Sequence, residues 1–174
     1  DQRSGDYEVA KTLTTYPDPA AGVLSGLDSL LDRAQIGPES VERVIHGTTL
    51  VTNTLIERKG TRTGLITTRG FRDALEIGRE GRYDIYDLRL ELPEPLVERR
   101  LRLEVDERLN PDGTVMSPLS RLSVEAACEA LSAAEVDAVA ICLLHAYANP
   151  DHERAVRDEV GHRLPGCAIS ISSE

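Results

Sequence analysis

The fold of this chain is best judged from the stretch AVAICLL at residues 138–144, an unbroken apolar run. Such a run is typical of a strand buried on both faces, as in parallel sheets that helices cover on each side. Helical patterns flank it: Ser123 can cap a helix over 124–134, and Asn149-Pro150 can begin another that ends near Leu164. The stretch therefore predicts a helix–strand–helix unit of an α/β fold.

The rest of the chain continues the alternation of strands and helices. Asp18 and Pro19 suit a helix start, and the turn formers of 110–113 predict a hairpin. Residues 78–95 lack periodicity and predict a long loop, of a kind that often carries function. Further strands are predicted over 8–15, 44–45, 63–67, 99–109, 114–115 and 168–172, and further helices over 19–33, 50–59 and 70–75.

Composition narrows the classes of partner. Hydrophobic residues make up 40 % of the chain, as in globular proteins, and no apolar run has the length of a membrane span. A net charge of −10 argues against nucleic acid or an anionic membrane as partner. Cys128, Cys142 and Cys167 lack metal-site spacing, so we interpret them as reduced core thiols and expect a cytoplasmic protein without a metal bound by cysteine.

Positive charge gathers in the middle third. Residues 58–108 hold 12 Arg/Lys against 11 Asp/Glu, so this stretch is near neutral while the rest of the chain is strongly acidic. It is the region best suited to an anionic ligand, although an ordinary mixed surface would have the same composition.

The first candidate site is His46-Gly47-Thr48-Thr49, followed by Asn53. A predicted strand feeds a glycine turn that opens a helix. Backbone N–H groups at a helix start, together with two hydroxyls, favour an anion such as phosphate. Gly47 would let that anion approach the backbone closely. The alternative is a helix capped by threonine behind a tight turn.

The second and third candidates lie further along. Arg79 and Arg82 could clamp a carboxylate, phosphate or imide carbonyl, or could pair with acidic neighbours in a solvated loop. His145 follows the apolar strand, where ligands of open α/β sheets bind. His152 falls in the first turn of the next predicted helix. It could bind a ligand there, or it could have only a structural role.

Read together, these segments resemble the hydantoinase/oxoprolinase family. Residues 44–60 resemble its signature HGTT-x-x-TN-x-LLERRG, and residues 64–73 its LITT-x-GFRD. Residues 76–79, 86–88 and 143–153 continue the match in uninterrupted order.

The resemblance implies a ribonuclease-H-like, actin-like fold of the sugar-kinase type, with a mixed sheet and flanking helices. It implies an enzyme that uses ATP and Mg²⁺ to phosphorylate the carbonyl oxygen of a cyclic amide or imide. This step prepares the ring for hydrolysis, as in 5-oxoprolinases and N-methylhydantoinases of the A type. A companion subunit or domain of the hydantoinase B type is implied as partner, and hence a hetero-oligomer.

One family segment has no counterpart here. The family opens with an Asp-x-Gly-Gly-Thr-x-Thr-Asp phosphate-loop hairpin, which this sequence lacks. We therefore expect residues 1–174 to form a single incomplete domain, without that hairpin and the downstream lobe, and to be inactive by itself.

Matching residues take provisional roles from the resemblance. Gly47, Thr48, Thr49 and Asn53 are expected to bind the cofactor, with Thr48 and Thr49 contacting phosphate or Mg²⁺-bound water. Arg79 and His46 are expected to serve catalysis, and Arg79 would face the activated oxyanion. Two other functions remain open, an ATP-using subunit of an acetone or acetophenone carboxylase and a non-catalytic assembly module.

Overall fold

The computed structural model describes residues 5, 7–16, 18–79, 86–87, 89 and 93–174. It divides the chain into two compact units, Asp1–Thr49 and Leu50–Glu174.

The first unit is built on one helix, α1 (Pro19–Ala34). Asp18 caps it as predicted, since its carboxylate accepts the N–H of Ala20 at 2.9 Å. Gln35 ends it in the left-handed region at φ 53°, with its N–H bonded back to the last turn. A short 3-10 turn, Pro38–Ser40, follows.

Two predicted strands of this unit are wrong. Residues 8–15 and 44–45 form no strand among the described residues. Alternation indicates a segment that suits a sheet, but a strand exists only where another strand takes up its backbone groups. Here the carbonyl of Val9 accepts from Arg33 at 3.2 Å instead. Val44 and Ile45 remain exposed.

The second unit contains the sheet and most of the helices. Its helices are α2 (Leu50–Glu57), α3 (Ala74–Ile77), α4 (Arg121–Ala133) and α5 (Asp151–Arg163). Its strands are β1 (Thr63–Thr68), β2 (Arg102–Val105), β3 (Arg108–Leu109), β4 (Val115–Ser117), β5 (Ala138–Cys142) and β6 (Ala168–Ile171).

The main sheet has the order β2-β1-β5-β6, and all its pairings are parallel. The α/β class is therefore confirmed. The expectation of a mixed sheet needs correction, because the antiparallel pair β3–β4 forms a separate two-stranded sheet. The core lies between the main sheet and helices α4 and α5, and includes Ile66, Leu131, Val139, Ile141 and Val156.

The stretch predicted as one strand over 99–109 is broken in two places. A 3-10 turn, Arg99–Leu101, precedes β2, and the chain bends at 106–107 before β3. The bend is held where the carbonyl of Asp106 accepts from Ser120 N at 2.8 Å. Glu107 directs its side chain inward there, which no alternation pattern reveals.

Several predicted element ends shift. Helix α2 stops at Glu57 because Arg58 takes φ 51°, so Gly60 is not its terminator. Ser120, not Ser123, caps α4. The predicted helix over 70–75 is displaced to α3. The apolar strand β5 is buried on one face only, since Val139 and Ile141 are inside while Cys142 is exposed.

Replacing Gly64 by alanine is expected to destabilise the protein by about 1–3 kcal/mol in urea unfolding. An added Cβ would overlap Leu131 Cδ2 and lie 3.3 Å from its Cδ1. Leu131 is fully buried, so it has little room to move away. Gly60→Ala is the matched control: its nearest atom would lie 3.9 Å away, and equal losses at both glycines would contradict the packing argument.

Candidate functional site

The His46–Thr49 segment lies in irregular backbone at the end of the first unit, and its residues are exposed. The predicted strand before it is absent, but the predicted helix after it begins at Leu50, as α2. Apart from Gly47 and its two chain neighbours, no heavy atom of the described residues lies within 4 Å of the point that a Cβ on Gly47 would occupy. The backbone of the segment is thus open to an approaching ligand.

Asn53 is one helical turn beyond Thr49 and is exposed on α2. It belongs to the second unit, whereas His46, Gly47, Thr48 and Thr49 belong to the first. The first-turn N–H groups of any α-helix lack acceptors within the helix, and the helix dipole adds positive potential there. The chemistry of this helix start accordingly suits an anion.

Arg79 follows the end of α3 and is exposed. Helix α3 ends at Gly78, which has φ 55° and donates its N–H to Ala74 O at 2.9 Å. Arg82, the second half of the predicted clamp, lies outside the described residues. The pairing of Arg79 with Arg82 therefore stays a prediction.

Other arginines of the middle third are engaged inside the protein. Arg102 is only 1 % exposed. Its Nε donates to Val97 O at 2.9 Å and its Nη1 to Glu76 Oε1 at 3.1 Å. Arg72 Nη2 in turn donates to Arg102 O at 2.7 Å. These arginines brace α3 against the edge strand β2, so they do not form a surface for an anion.

A surface ion pair extends this brace. Arg99 donates two hydrogen bonds to the Asp73 carboxylate, from Nε to Oδ1 at 2.9 Å and from Nη2 to Oδ2 at 3.1 Å. The Arg99 guanidinium holds the pKa of the Asp73 carboxyl below its usual value. For Arg72, Arg99 and Arg102 the better interpretation is thus that they bind neighbouring groups of the protein, not an anionic ligand.

A buried polar network closes the carboxyl edge of the sheet. Thr68, the last residue of β1, donates its hydroxyl to Glu107 Oε1 and accepts the N–H of Leu144 at 2.9 Å. The other Glu107 oxygen lies 2.8 Å from His152 Nδ1 at the start of α5. The Glu107 side chain is 0 % exposed and that of His152 is 13 % exposed. Sequence reasoning missed Thr68 and Glu107, whose only signal is polarity at a strand end.

A second buried carboxylate belongs to Glu153, the residue that follows His152 in the chain. Its Oε1 accepts from Leu143 N at 2.9 Å and from Ser172 Oγ at 2.7 Å. Its Oε2 accepts from Ser173 N at 2.9 Å. Glu153 therefore joins α5 to the ends of β5 and β6. The sequence favoured a simpler role for it, as an acidic residue in the first turn of a helix.

His145 lies just beyond β5, as predicted, and is half-buried. Its backbone is in the left-handed region at φ 63°, which is uncommon for a residue with a side chain. Its ring stands edge-on to Tyr147, with centroids 5.8 Å apart. The turn that carries it follows the strand directly.

The cysteines only partly fit the prediction. Cys128 is buried, and burial raises the pKa of its thiol. Burial also raises the pKa of the half-buried Cys167 thiol. Cys142 is exposed on the uncovered face of β5, so its assignment to the core is wrong.

Two classes of feature are absent from the described part of the chain. Within it, no group of three or more His, Cys, Asp or Glu residues is arranged to hold a metal ion. No helix in the same residues combines the length and apolarity that a membrane crossing requires.

Comparison with known proteins gives several relatives that match nearly all of the chain, and one of them is a lactamase subunit. Caprolactamase subunit alpha of Pseudomonas jessenii is 32% identical over 176 residues, covering 98% of this chain and 25% of its own length. The crystal structure of that ATP-dependent caprolactamase superposes with a TM-score of 0.81 at 30% identity over 97% of this chain and 25% of its own.

The second relative is a carboxylase. The beta subunit of acetone carboxylase from Xanthobacter autotrophicus is 33% identical over 170 residues, covering 91% of this chain and 24% of its own. A nucleotide-free structure of acetone carboxylase superposes with a TM-score of 0.85 at 29% identity, over 98% of this chain and 26% of its own. The chain thus spans about a quarter of the length of these relatives.

The motif around His46 and the arrangement of strands and helices agree with these likenesses. The family model for the hydantoinase/oxoprolinase N-terminal region matches residues 1–163, nearly the whole chain. This chain accordingly belongs to the hydantoinase/oxoprolinase family.

Proposed function

We propose that the chain is part of an ATP-dependent cyclic amidase of the 5-oxoprolinase or N-methylhydantoinase type. In this reaction ATP phosphorylates the carbonyl oxygen of a cyclic amide, and the activated ring is then hydrolysed. The phosphate is needed because amide resonance makes the carbonyl carbon of an unstrained lactam a poor electrophile, and phosphorylation of the oxygen makes that carbon more reactive towards water. Support comes from the family and from the caprolactamase relative, whose solved structure is described as ATP-dependent.

The observation that carries the proposal is the exposed His46–Thr49 segment at the start of α2. Its open glycine, its two hydroxyls and the adjoining helix start have the chemistry of a phosphate site. ATP phosphates therefore fit the residues present. Mg²⁺ fits less well, because it prefers carboxylate and water oxygens and this segment has no carboxylate.

The proposed roles follow from the chemistry of each side chain. Thr48 and Thr49 would donate hydrogen bonds to phosphate oxygens, and Gly47 would let them approach. Asn53 would orient the cyclic amide through its carboxamide. Arg79 would stabilise the oxyanion that is phosphorylated, and His46 would assist proton transfer.

The fold, the location and the partner of the whole protein are also proposals. We propose that the parent fold is ribonuclease-H-like and that the protein works in the cytoplasm with a hydantoinase B-type companion. The relatives' designations as alpha and beta subunits support a hetero-oligomer.

A second candidate function is the ATP-using subunit of a ketone carboxylase. It is favoured by the nucleotide-free acetone carboxylase structure, which superposes with a TM-score of 0.85. Both reactions begin with transfer of a phosphoryl group from ATP to an oxygen atom, so the same phosphate site would serve either. A non-catalytic assembly module is the remaining alternative.

The test is an assay of the full-length protein with its companion that measures ADP release and identifies the product. The substrates are 5-oxoproline, N-methylhydantoin, hydantoin, and acetone or acetophenone with bicarbonate. ADP release with a cyclic amide and a ring-opened product would support the amidase. ADP release with only a ketone and bicarbonate would overturn it in favour of a carboxylase.

Arg79→Ala is expected to lower the rate of turnover by about 100-fold while changing ATP affinity little. The reason is that the guanidinium would act on charge that develops during phosphoryl transfer. The measurement is kcat and KM for ATP, with the exposed Arg89→Ala as control. A change confined to ATP affinity would contradict the assignment.

A further inference from the structure

The Thr68–Glu107–His152 network has a geometry that structural pairing alone does not require. Glu107 Oε2 lies 2.8 Å from His152 Nδ1, and its Oε1 accepts the Thr68 hydroxyl. Thr68 is itself fixed, since its oxygen accepts the N–H of Leu144 at 2.9 Å. A fully buried carboxylate is thus held on both oxygens and aimed at one histidine.

This contact determines the tautomer of His152. A carboxylate only accepts hydrogen bonds, so Nδ1 is the nitrogen that donates to Glu107, and in the neutral ring Nε2 then carries the lone pair. Among the described residues Nε2 has no hydrogen-bond partner, and it is not among the buried unsatisfied atoms. Within the described part of the chain, Nε2 is therefore the ring nitrogen without an internal partner.

Other charged groups at this edge are engaged elsewhere. Arg69 pairs with Asp106 at 2.9 Å, and Arg154 lies 3.5 Å from Glu174. Glu153 is occupied by the ends of β5 and β6. Glu107 is consequently the carboxylate that faces His152, and it would stabilise an imidazolium formed there.

We infer that His152 transfers protons in the hydrolytic step of the reaction, an inference that rests on the proposed function. Water attacks the electrophilic carbon of the activated cyclic amide: an O–H bond breaks, an O–C bond forms, and the proton moves to Nε2. The imidazolium then returns this proton to the ring nitrogen as the C–N bond breaks, which leaves the phosphoryl group on the new carboxyl as an acyl phosphate. A second water hydrolyses the acyl phosphate to a carboxylate and inorganic phosphate. Glu107 orients the ring and balances its positive charge, as carboxylates do for catalytic histidines.

The location agrees with this role. Ligands of open α/β sheets bind outside the carboxyl ends of the strands, and the network joins the carboxyl ends of β1 and β5 to the chain just beyond β2. A purely structural link between α5 and the bend at 106–107 would need a donor at Glu107 Oε2 but not a basic nitrogen. Asparagine could supply that donor, but it could not accept a proton.

The test uses His152→Asn in the full-length protein with its companion, in a single turnover with the cyclic amide that the parent opens. Asparagine keeps an N–H near the position of Nδ1, so the melting temperature should stay close to that of the parent. The ADP burst is expected to persist, while the rate of ring opening falls by about 100-fold or more. His162→Asn, an exposed histidine on the same helix, is the control and should behave like the parent.

The possible outcomes distinguish a failure of the inference about His152 from a failure of the proposed function. Ring opening by His152→Asn within about threefold of an active parent would overturn the inference alone, because catalysis by a general base typically contributes at least 100-fold. A parent that opens none of the cyclic amides would overturn the proposed function, and the inference with it. Loss of the ADP burst together with a lower melting temperature would show a structural role and would also overturn the inference.

Discussion

Replacing Glu153 by alanine is expected to lower the free energy of unfolding by about 3–5 kcal/mol. The side chain is fully buried and accepts from Leu143 N, Ser172 Oγ and Ser173 N at 2.7–2.9 Å. Removing it leaves these donors without their acceptor and opens a cavity behind α5. In a thermal melt the loss corresponds to a fall in Tm of about 6–20 °C for a protein of this size.

Glu159→Ala on the same helix is the matched control. Glu159 pairs with Arg163 near the surface, and such pairs contribute less than about 1 kcal/mol. Glu153→Gln is a second test, since it keeps the volume but brings an NH₂ group towards a donor. Its stability should lie between those of the parent and the alanine variant. Equal stability of the Glu153→Ala and Glu159→Ala variants would refute the idea that Glu153 joins the strand ends.

The double substitution Thr48→Ala, Thr49→Ala is expected to reduce ATP turnover of the full-length protein by at least about 100-fold. Both side chains are exposed at the start of α2, so the folded state should lose little stability. The expected cause is the loss of two hydroxyl donors to phosphate in the transition state. ADP release with the cognate substrate measures the effect, and a thermal melt checks the fold.

Thr14→Ala provides the control, because Thr14 is an exposed threonine of the same unit outside the motif. It should retain the turnover and the Tm of the parent. Unchanged turnover in the double variant would remove the phosphate role from Thr48 and Thr49. A large fall in Tm would instead assign these residues to helix capping, the alternative that the sequence left open.

How far the sequence predicted the fold depends on how local each signal is. Asp18 capped α1 as expected, because a cap needs only the next turn of the same helix. The strands over 8–15 and 44–45 did not form, because alternation describes a side-chain pattern and cannot supply a partner strand. The same limit explains Cys142, since the apolar run predicted two covered faces but could not supply the layer that would cover the second.

The candidate site likewise contains residues that a local motif reveals and residues that only packing brings together. His46, Thr48, Thr49, Asn53 and Arg79 were chosen as members of contiguous motifs, and their roles remain predictions. The Glu107–His152 contact joins residues 45 positions apart in the chain. No spacing rule connects them, because their proximity depends on the bend after β2 and the start of α5 meeting at one sheet edge.

By itself, the sequence determined the α/β class, the main helices, the central strands β1 and β5, and the resemblance to the family. These properties follow from periodicity, caps and motifs, each of which acts over a few consecutive residues. Only the tertiary structure decided which carboxylates are buried, which arginines are internal braces and which nitrogen of His152 faces Glu107. These depend on how distant segments pack, because burial and hydrogen-bond partners are set by neighbours in space, not by neighbours in the chain.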